Sequence, residues 1–107
     1  MVRGDVLEIN LRRGHGHVQH GRRFAVVVQT DDLMTLSTVV VCPTSQSTRD
    51  ASFHPEVEVL GERTKVLCEM VRTVDARKLG RHAGHLSFDE IRGVDEALNL
   101  VLDLHDR

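Results

Sequence analysis

The chain contains no tryptophan and no tyrosine, and Phe24, Phe53 and Phe88 are its whole aromatic complement. That excludes a broad stacking platform of the kind many single-strand nucleic-acid binders use. Cysteine is nearly as scarce. Cys42 and Cys68 each sit inside an apolar run, with no metal-ligand spacing. Such thiols behave as small hydrophobes, and a reduced, cytoplasmic setting is the expectation. An excess of one charge is also missing: 28% of residues are charged, yet the formal net charge is -2. A uniformly basic surface is excluded, so any nucleic-acid site must be a local patch. No apolar stretch approaches membrane-spanning length, and the N-terminus is too polar for a signal peptide, so no membrane partner is expected.

What is present is 107 residues, 40% of them hydrophobic. A single domain over 1–107 is expected, with a modest core that a dimer interface would help. Asp5 to Leu11 alternates apolar and polar residues, as a half-buried strand does. Arg12 to Arg23 is rich in Gly, His and Arg and reads as a flexible basic loop. Phe24–Gln29 and Thr38–Cys42 are β-branched runs, read as central strands joined through Thr30–Leu36. Thr44–Pro55 reads as a polar loop, Glu56–Leu60 as an alternating strand, and Gly61–Thr64 as a turn. Lys65–Val71 reads as a further strand, followed by a short turn or helical piece over Asp75–Leu79. Ser87-Phe88-Asp89-Glu90 fits a capping box. Ile91, Val94, Leu98, Val101 and Leu102 then recur at helical spacing. The predicted fold is mainly β with α: a small, strongly twisted antiparallel sheet or SH3-like open barrel with a C-terminal helix.

Polar side chains gather at the ends of the apolar runs, where a rigid scaffold presents chemistry to solvent. Arg23 stands where the basic loop enters a strand. Its guanidinium can grip a phosphate bidentately, or it is an ordinary solvated strand-end arginine. Thr44 and Ser45 follow Pro43, and their hydroxyls can donate to a phosphate oxygen or serve turn chemistry. Glu69 alternates with apolar neighbours, so it faces either a groove or solvent, paired there with Lys65 or Arg72. Arg72 is a candidate phosphate contact. Arg49 and Phe53 lie in the loop after Thr44, and Phe53 is a core anchor or a base stacker. His15, His17 and His20 offer three imidazoles to a metal. A glycine-broken loop without a nearby carboxylate fixes ligands poorly, so no metal and no cofactor is expected. A cation, hydroxyls, a carboxylate and a second cation together suit work on a phosphodiester.

Five runs, in order, resemble the PemK/MazF family of toxin endoribonucleases. They are Arg3-Gly4-Asp5-Val6, the loop Gly16-His17-Val18-Gln19-His20-Gly21-Arg22-Arg23, and the strand end Pro43-Thr44-Ser45-Gln46. Leu67-Cys68-Glu69 through Arg72-Thr73-Val74-Asp75 is the fourth, and Val94-Asp95-Glu96-Ala97-Leu98 the fifth. The chain departs from the family pattern at Phe24 (usually Pro), Val18 (Glu) and Met70 (Gln). Leu67 replaces an arginine found in one branch.

The resemblance implies a sequence-specific, metal-independent endoribonuclease acting on single-stranded RNA through the substrate's own 2′-OH. It often casts the loop arginine, Arg23 here, as an acid or base with Thr44 as its catalytic partner; the chemistry of a guanidinium instead assigns Arg23, with Thr44, to holding the pentacovalent charge. Arginine's pKa argues against proton abstraction by Arg23, so Glu69 or His17 is the implied base. With the resemblance, RNA contacts are expected at Gln19, Arg22, Ser45 and Gln46, and the candidate cations Arg49 and Arg72 join them. It also implies a homodimer and a cognate antitoxin with a disordered acidic tail, for which Arg12, Arg13, Arg22 and Arg23 would suit electrostatically. Two alternatives stay open. One is a gyrase-inhibiting toxin of similar barrel, against which the lack of Trp counts. The other is a non-catalytic RNA- or protein-binding module.

Overall fold

A computed structural model describes residues 1–10 and 23–104. His15, His17, Gln19, His20, Arg22, Arg12 and Arg13 therefore lie outside the described residues. Among the described residues seven strands and one α-helix follow in order: β1 Asp5–Ile9, β2 Phe24–Val27, β3 Thr38–Ser45, β4 Glu56–Val59, β5 Glu62–Val66, β6 Arg72–Asp75, β7 Leu79–His85 and α1 Phe88–Leu102. They make a curled antiparallel sheet in the order β4-β5-β3-β2-β1-β7, with β6 also on β3. The expected class, a twisted antiparallel sheet closed by a C-terminal helix, is what forms. Among the described residues no helix is long and apolar enough to cross a membrane.

β3 organises the molecule. Its middle pairs with β2 through Ala25↔Pro43, Val26↔Cys42 and Val27↔Val41. Its other edge pairs first with β6, from Thr38↔Asp75 to Val41↔Arg72, and then with β5 through Thr44↔Val66 and Ser45↔Lys65. The register slips by three residues between those two pairings, so the chain from β5 to β6 carries a surplus. That surplus folds into a 3-10 turn over Cys68–Met70. The single strand expected over Lys65–Val71 is therefore corrected: it ends at Val66, and Glu69 sits in the turn rather than on a pleat. Leu67 N–H still reaches the Pro43 carbonyl at 2.8 Å, which holds the turn against β3.

Other bounds shift for local reasons. β3 runs past Cys42 to Ser45, because β5 offers it a fresh partner edge. The expected turn over Gly61–Thr64 shrinks to Leu60-Gly61, with φ of 52° and 80°. Two residues at positive φ suit the twist of a tight hairpin, and β5 starts at once at Glu62. β7 is a strand that hydrophobic periodicity did not signal. Gly80, Arg81, His82 and Gly84 carry little apolar content, and pairing with β1 imposes the extended form.

Two apolar clusters line the sheet. One joins Val6, Val26, Cys42, Val57, Val66, Cys68 and Leu86 to the helix residues Val94, Ala97 and Leu98. The helix stripe holds as expected apart from Leu102, which is exposed while Ala97 is buried. Burying such side chains stabilises by roughly 1.5–3 kcal/mol each for Val or Leu. Both cysteines are core, and the Cys68 contact and burial push the Cys42 thiol far up, so it stays protonated. The capping box forms in full: Ser87 Oγ accepts from Glu90 N–H at 3.2 Å, and Glu90 Oε1 accepts from Ser87 N–H at 2.8 Å. Gly4 explains the Arg3-Gly4-Asp5 opening. Its φ is +94°, and a Cβ there would meet Ile91 Cδ1 at 2.8 Å.

Candidate functional site

Where β3 changes partner, the sheet opens into a groove of ≈ 600 Å³. The start of β2 supplies one wall with Arg23 and Phe24, and the end of β3 the floor, with Thr44, Ser45, Gln46 and Ser47. The β4–β5 hairpin supplies the far wall with Val59, Leu60, Glu62 and Thr64. Strand pairing brings Arg23 to Thr44: Phe24 lies one step beyond the Ala25↔Pro43 pair. Arg23 Nη2 donates to the Thr44 carbonyl at 3.1 Å. Thr44 Oγ1 donates back across the strands to the Phe24 carbonyl at 3.2 Å. The two residues thus share one groove, linked through backbone carbonyls rather than side chain to side chain.

The Arg23 head is partly withdrawn from water. Burial pulls its pKa below the ordinary value, yet a guanidinium stays charged at neutral pH. Its Nε is buried and has no hydrogen-bond partner among the described residues. An N–H donor in that state is costly unless a ligand meets it. Ser45, almost fully buried, closes a small turn, with Ser47 N–H donating to its Oγ at 3.3 Å. Gln46 Nε2 donates to Glu62 Oε2 at 2.6 Å across the groove.

The other sequence candidates lie elsewhere. Glu69 accepts from His54 Nε2 at 2.8 Å and is not in the groove wall. The partners expected for it, Lys65 and Arg72, are otherwise placed: Lys65 pairs with Asp50 at 2.9 Å. Arg72 is exposed on β6, in register with Val41, and Arg49 is exposed in the loop after β3. Phe53 packs edge-on against His54 with centroids 4.6 Å apart, and the groove's aromatic is instead Phe24. His17, Gln19 and Arg22 fall outside the described residues. Sequence reasoning missed Glu62 and Thr64. The signal was there in the alternation Glu62, Thr64, Val66, which the turn reading of Gly61–Thr64 masked. Among the described residues no group of three His, Cys, Asp or Glu could hold a metal ion.

Comparisons with known proteins agree with this architecture. A curated Mycobacterium tuberculosis (strain ATCC 25618 / H37Rv) protein named "Putative toxin Rv3098A/RVBD_3098A" is 36% identical over 106 residues, 97% of this chain and 99% of that one. An endoribonuclease from Mycobacterial species, solved with its cognate antitoxin, superposes with a TM-score of 0.83 at 17% identity, covering 100% of this chain and 99% of that one. MazF from Deinococcus radiodurans gives a TM-score of 0.81 at 23% identity, with 96% of each chain covered. Those structures share the fold. The model of a family described as "PemK-like, MazF-like toxin of type II toxin-antitoxin system" matches residues 2–102, and the chain belongs to that family.

Proposed function

We propose that this toxin is a sequence-specific endoribonuclease that cuts single-stranded RNA without a metal ion. The observation that carries the reading is the Arg23 guanidinium: half-buried, anchored on the Thr44 carbonyl, with an Nε–H that no described residue meets, on the wall of a groove large enough for a nucleotide. A cation so placed meets charge as it builds on the equatorial phosphate oxygens, where preorganised donors lower a barrier most. Thr44 fixes that cation and adds a hydroxyl beside it.

The chemistry is an internal transfer. The substrate's 2′-OH attacks the adjacent phosphorus, its proton passes to a base, and O5′ leaves. The products are a 2′,3′-cyclic phosphate and a 5′-OH. His17 and Glu69 are the two candidates for the base. Glu69 is engaged by His54 outside the groove wall, which favours His17, six residues before Arg23 in the chain. Histidine exchanges a proton readily near neutral pH. Ser45 and Gln46 contact the RNA in the groove, and Gln19, Arg22, Arg49 and Arg72 act as outer contacts. The working unit is a homodimer in the cytoplasm, held in check by an antitoxin whose disordered acidic tail covers the basic loop. Structural relatives solved as toxin–antitoxin complexes support the antitoxin part.

The test is cleavage of a long transcript by purified protein in EDTA. Cutting that survives chelation and disappears in Arg23→Ala supports the reading. RNA left whole by the wild type, with or without added divalent cation, refutes it.

A further inference from the structure

The groove holds one feature that phosphate chemistry does not use. Glu62 stands on its wall with an exposed carboxylate, and its described contact is the Gln46 amide at 2.6 Å. No cation among the described residues pairs with it. A carboxylate in an RNA groove repels phosphates, so it serves binding only by meeting hydrogen-bond donors. An ionised carboxylate is acceptor-only, and in single-stranded RNA the exposed donors are base N–H groups and 2′-OH groups.

We propose that Gln46 and Glu62 form a base reader that selects an amine-bearing base over uracil. It rests on the nuclease reading above and names part of its specificity. The Gln46 amide gives one hydrogen to Glu62 Oε2, which fixes both side chains. That leaves Glu62 Oε1 as an acceptor and the second Gln46 N–H as a donor. An exocyclic amine donates to the carboxylate from the edge of its ring, and an adjoining ring nitrogen or carbonyl accepts from the amide. Carboxylate-to-amine and glutamine-to-adenine pairings are established modes of base readout. Uracil has no amine. Its lone N3–H lies between two carbonyls, so a carboxylate approaching it also meets a carbonyl oxygen. Phe24 and Leu60 give the same groove apolar surface against which a base can lie. Both reader residues are exposed, so replacing them leaves the core intact.

The experiment has two arms on the full chain, run with wild type, Glu62→Gln, Glu62→Ala and Gln46→Ala. The first maps the 5′ ends of cleaved transcripts. The expected result is a position in the wild-type cut site from which uracil is depleted about tenfold or more. Uracil enters there in both Glu62 variants and in Gln46→Ala, while the other positions stay as they were. The second measures anisotropy of labelled oligo-uridylate against oligomers of A and C, independently of cutting. Wild type should bind the amine-bearing oligomers about tenfold more tightly, and the variants should lose that ratio. Cutting with an unchanged word in the Glu62 variants overturns the reader and leaves the nuclease standing. Binding that discriminates, without any cutting, overturns the nuclease and leaves the reader. Neither cutting nor discrimination removes both.

Discussion

His54 and Glu69 are clamped together, His54 Nε2 to Glu69 Oε2 at 2.8 Å, though they are 15 residues apart in sequence. The opposite ring nitrogen, Nδ1, donates to the Arg49 carbonyl at 2.9 Å. The ring is buried, 4% exposed at its side chain, and so is fixed at both ends. This bridge ties the loop after β3 to the 3-10 turn that carries Glu69. His54→Ala removes two hydrogen bonds at about 1 kcal/mol each and leaves a cavity besides, so a loss of about 2–3 kcal/mol is expected in urea denaturation. Glu69→Gln keeps an acceptor and should cost under about 1 kcal/mol. The same variant tests catalysis. A general base contributes about 10²–10⁴-fold, so Glu69→Gln retaining cleavage within about tenfold would leave that role to His17.

Arg23 separates charge from geometry. Arg23→Ala is expected to lower the cleavage rate by about 10²–10³-fold, as loss of a preorganised donor does. Arg23→Lys restores a point charge without the planar fork and should recover only part of that. Circular dichroism should match wild type for both, because Arg23 precedes β2 and its Nη2 bond is to a carbonyl already at the strand end. Equal rates for the Lys and Ala variants would show that charge alone is not what Arg23 supplies.

Thr44 is nearly buried, and its hydroxyl donates to Phe24 across the strands. Thr44→Val keeps the β-branched shape but removes the hydroxyl's hydrogen bond to the Phe24 carbonyl, at a cost of about 1 kcal/mol. Thr44→Ser keeps the donor. Single-turnover cleavage is expected to fall at least about tenfold in the Val variant and to stay near wild type in the Ser variant. A Val variant that is destabilised yet cuts at full rate would make Thr44 a purely structural residue.

Much of this was legible in the chain because local physics and tertiary demand agree. Ser87 through Glu90 announced the helix start, and both capping bonds formed. The alternation in Glu56–Val59 announced a strand with one wet face, and the face is wet. Legibility failed where pairing overrides local pattern. Lys65–Val71 looks continuous in isolation. The break at Leu67 comes from a register offset on β3 that no short window contains. β7 carries Gly80, His82 and Gly84, poor strand formers that extend because β1 needs a partner. The groove itself was half visible. Arg23, Thr44, Ser45 and Gln46 announced themselves as polar groups at strand ends, but Glu62 enters only through the fold of the hairpin.

Asp5 makes the last prediction, which concerns acid. Its carboxylate, 10% exposed, accepts from Val2 N–H at 2.8 Å, from His85 Nδ1 at 2.9 Å and from His82 Nε2 at 3.2 Å. Burial pushes its pKa up, but the Val2 backbone hydrogen bond and then those from His85 and His82 outweigh it, so the pKa lies below the ordinary carboxylate value. A depressed pKa in the folded state means that folding favours the ionised form. The resulting stability is complete above the unfolded-chain value of about 4 and disappears as pH falls through the lower folded value. Asp5→Asn should therefore be less stable than wild type near neutrality, and the gap should narrow below about pH 4. Denaturant titrations across that range measure it. A gap that stays constant down to about pH 2 would mean that the ionisation of Asp5 contributes nothing to the fold.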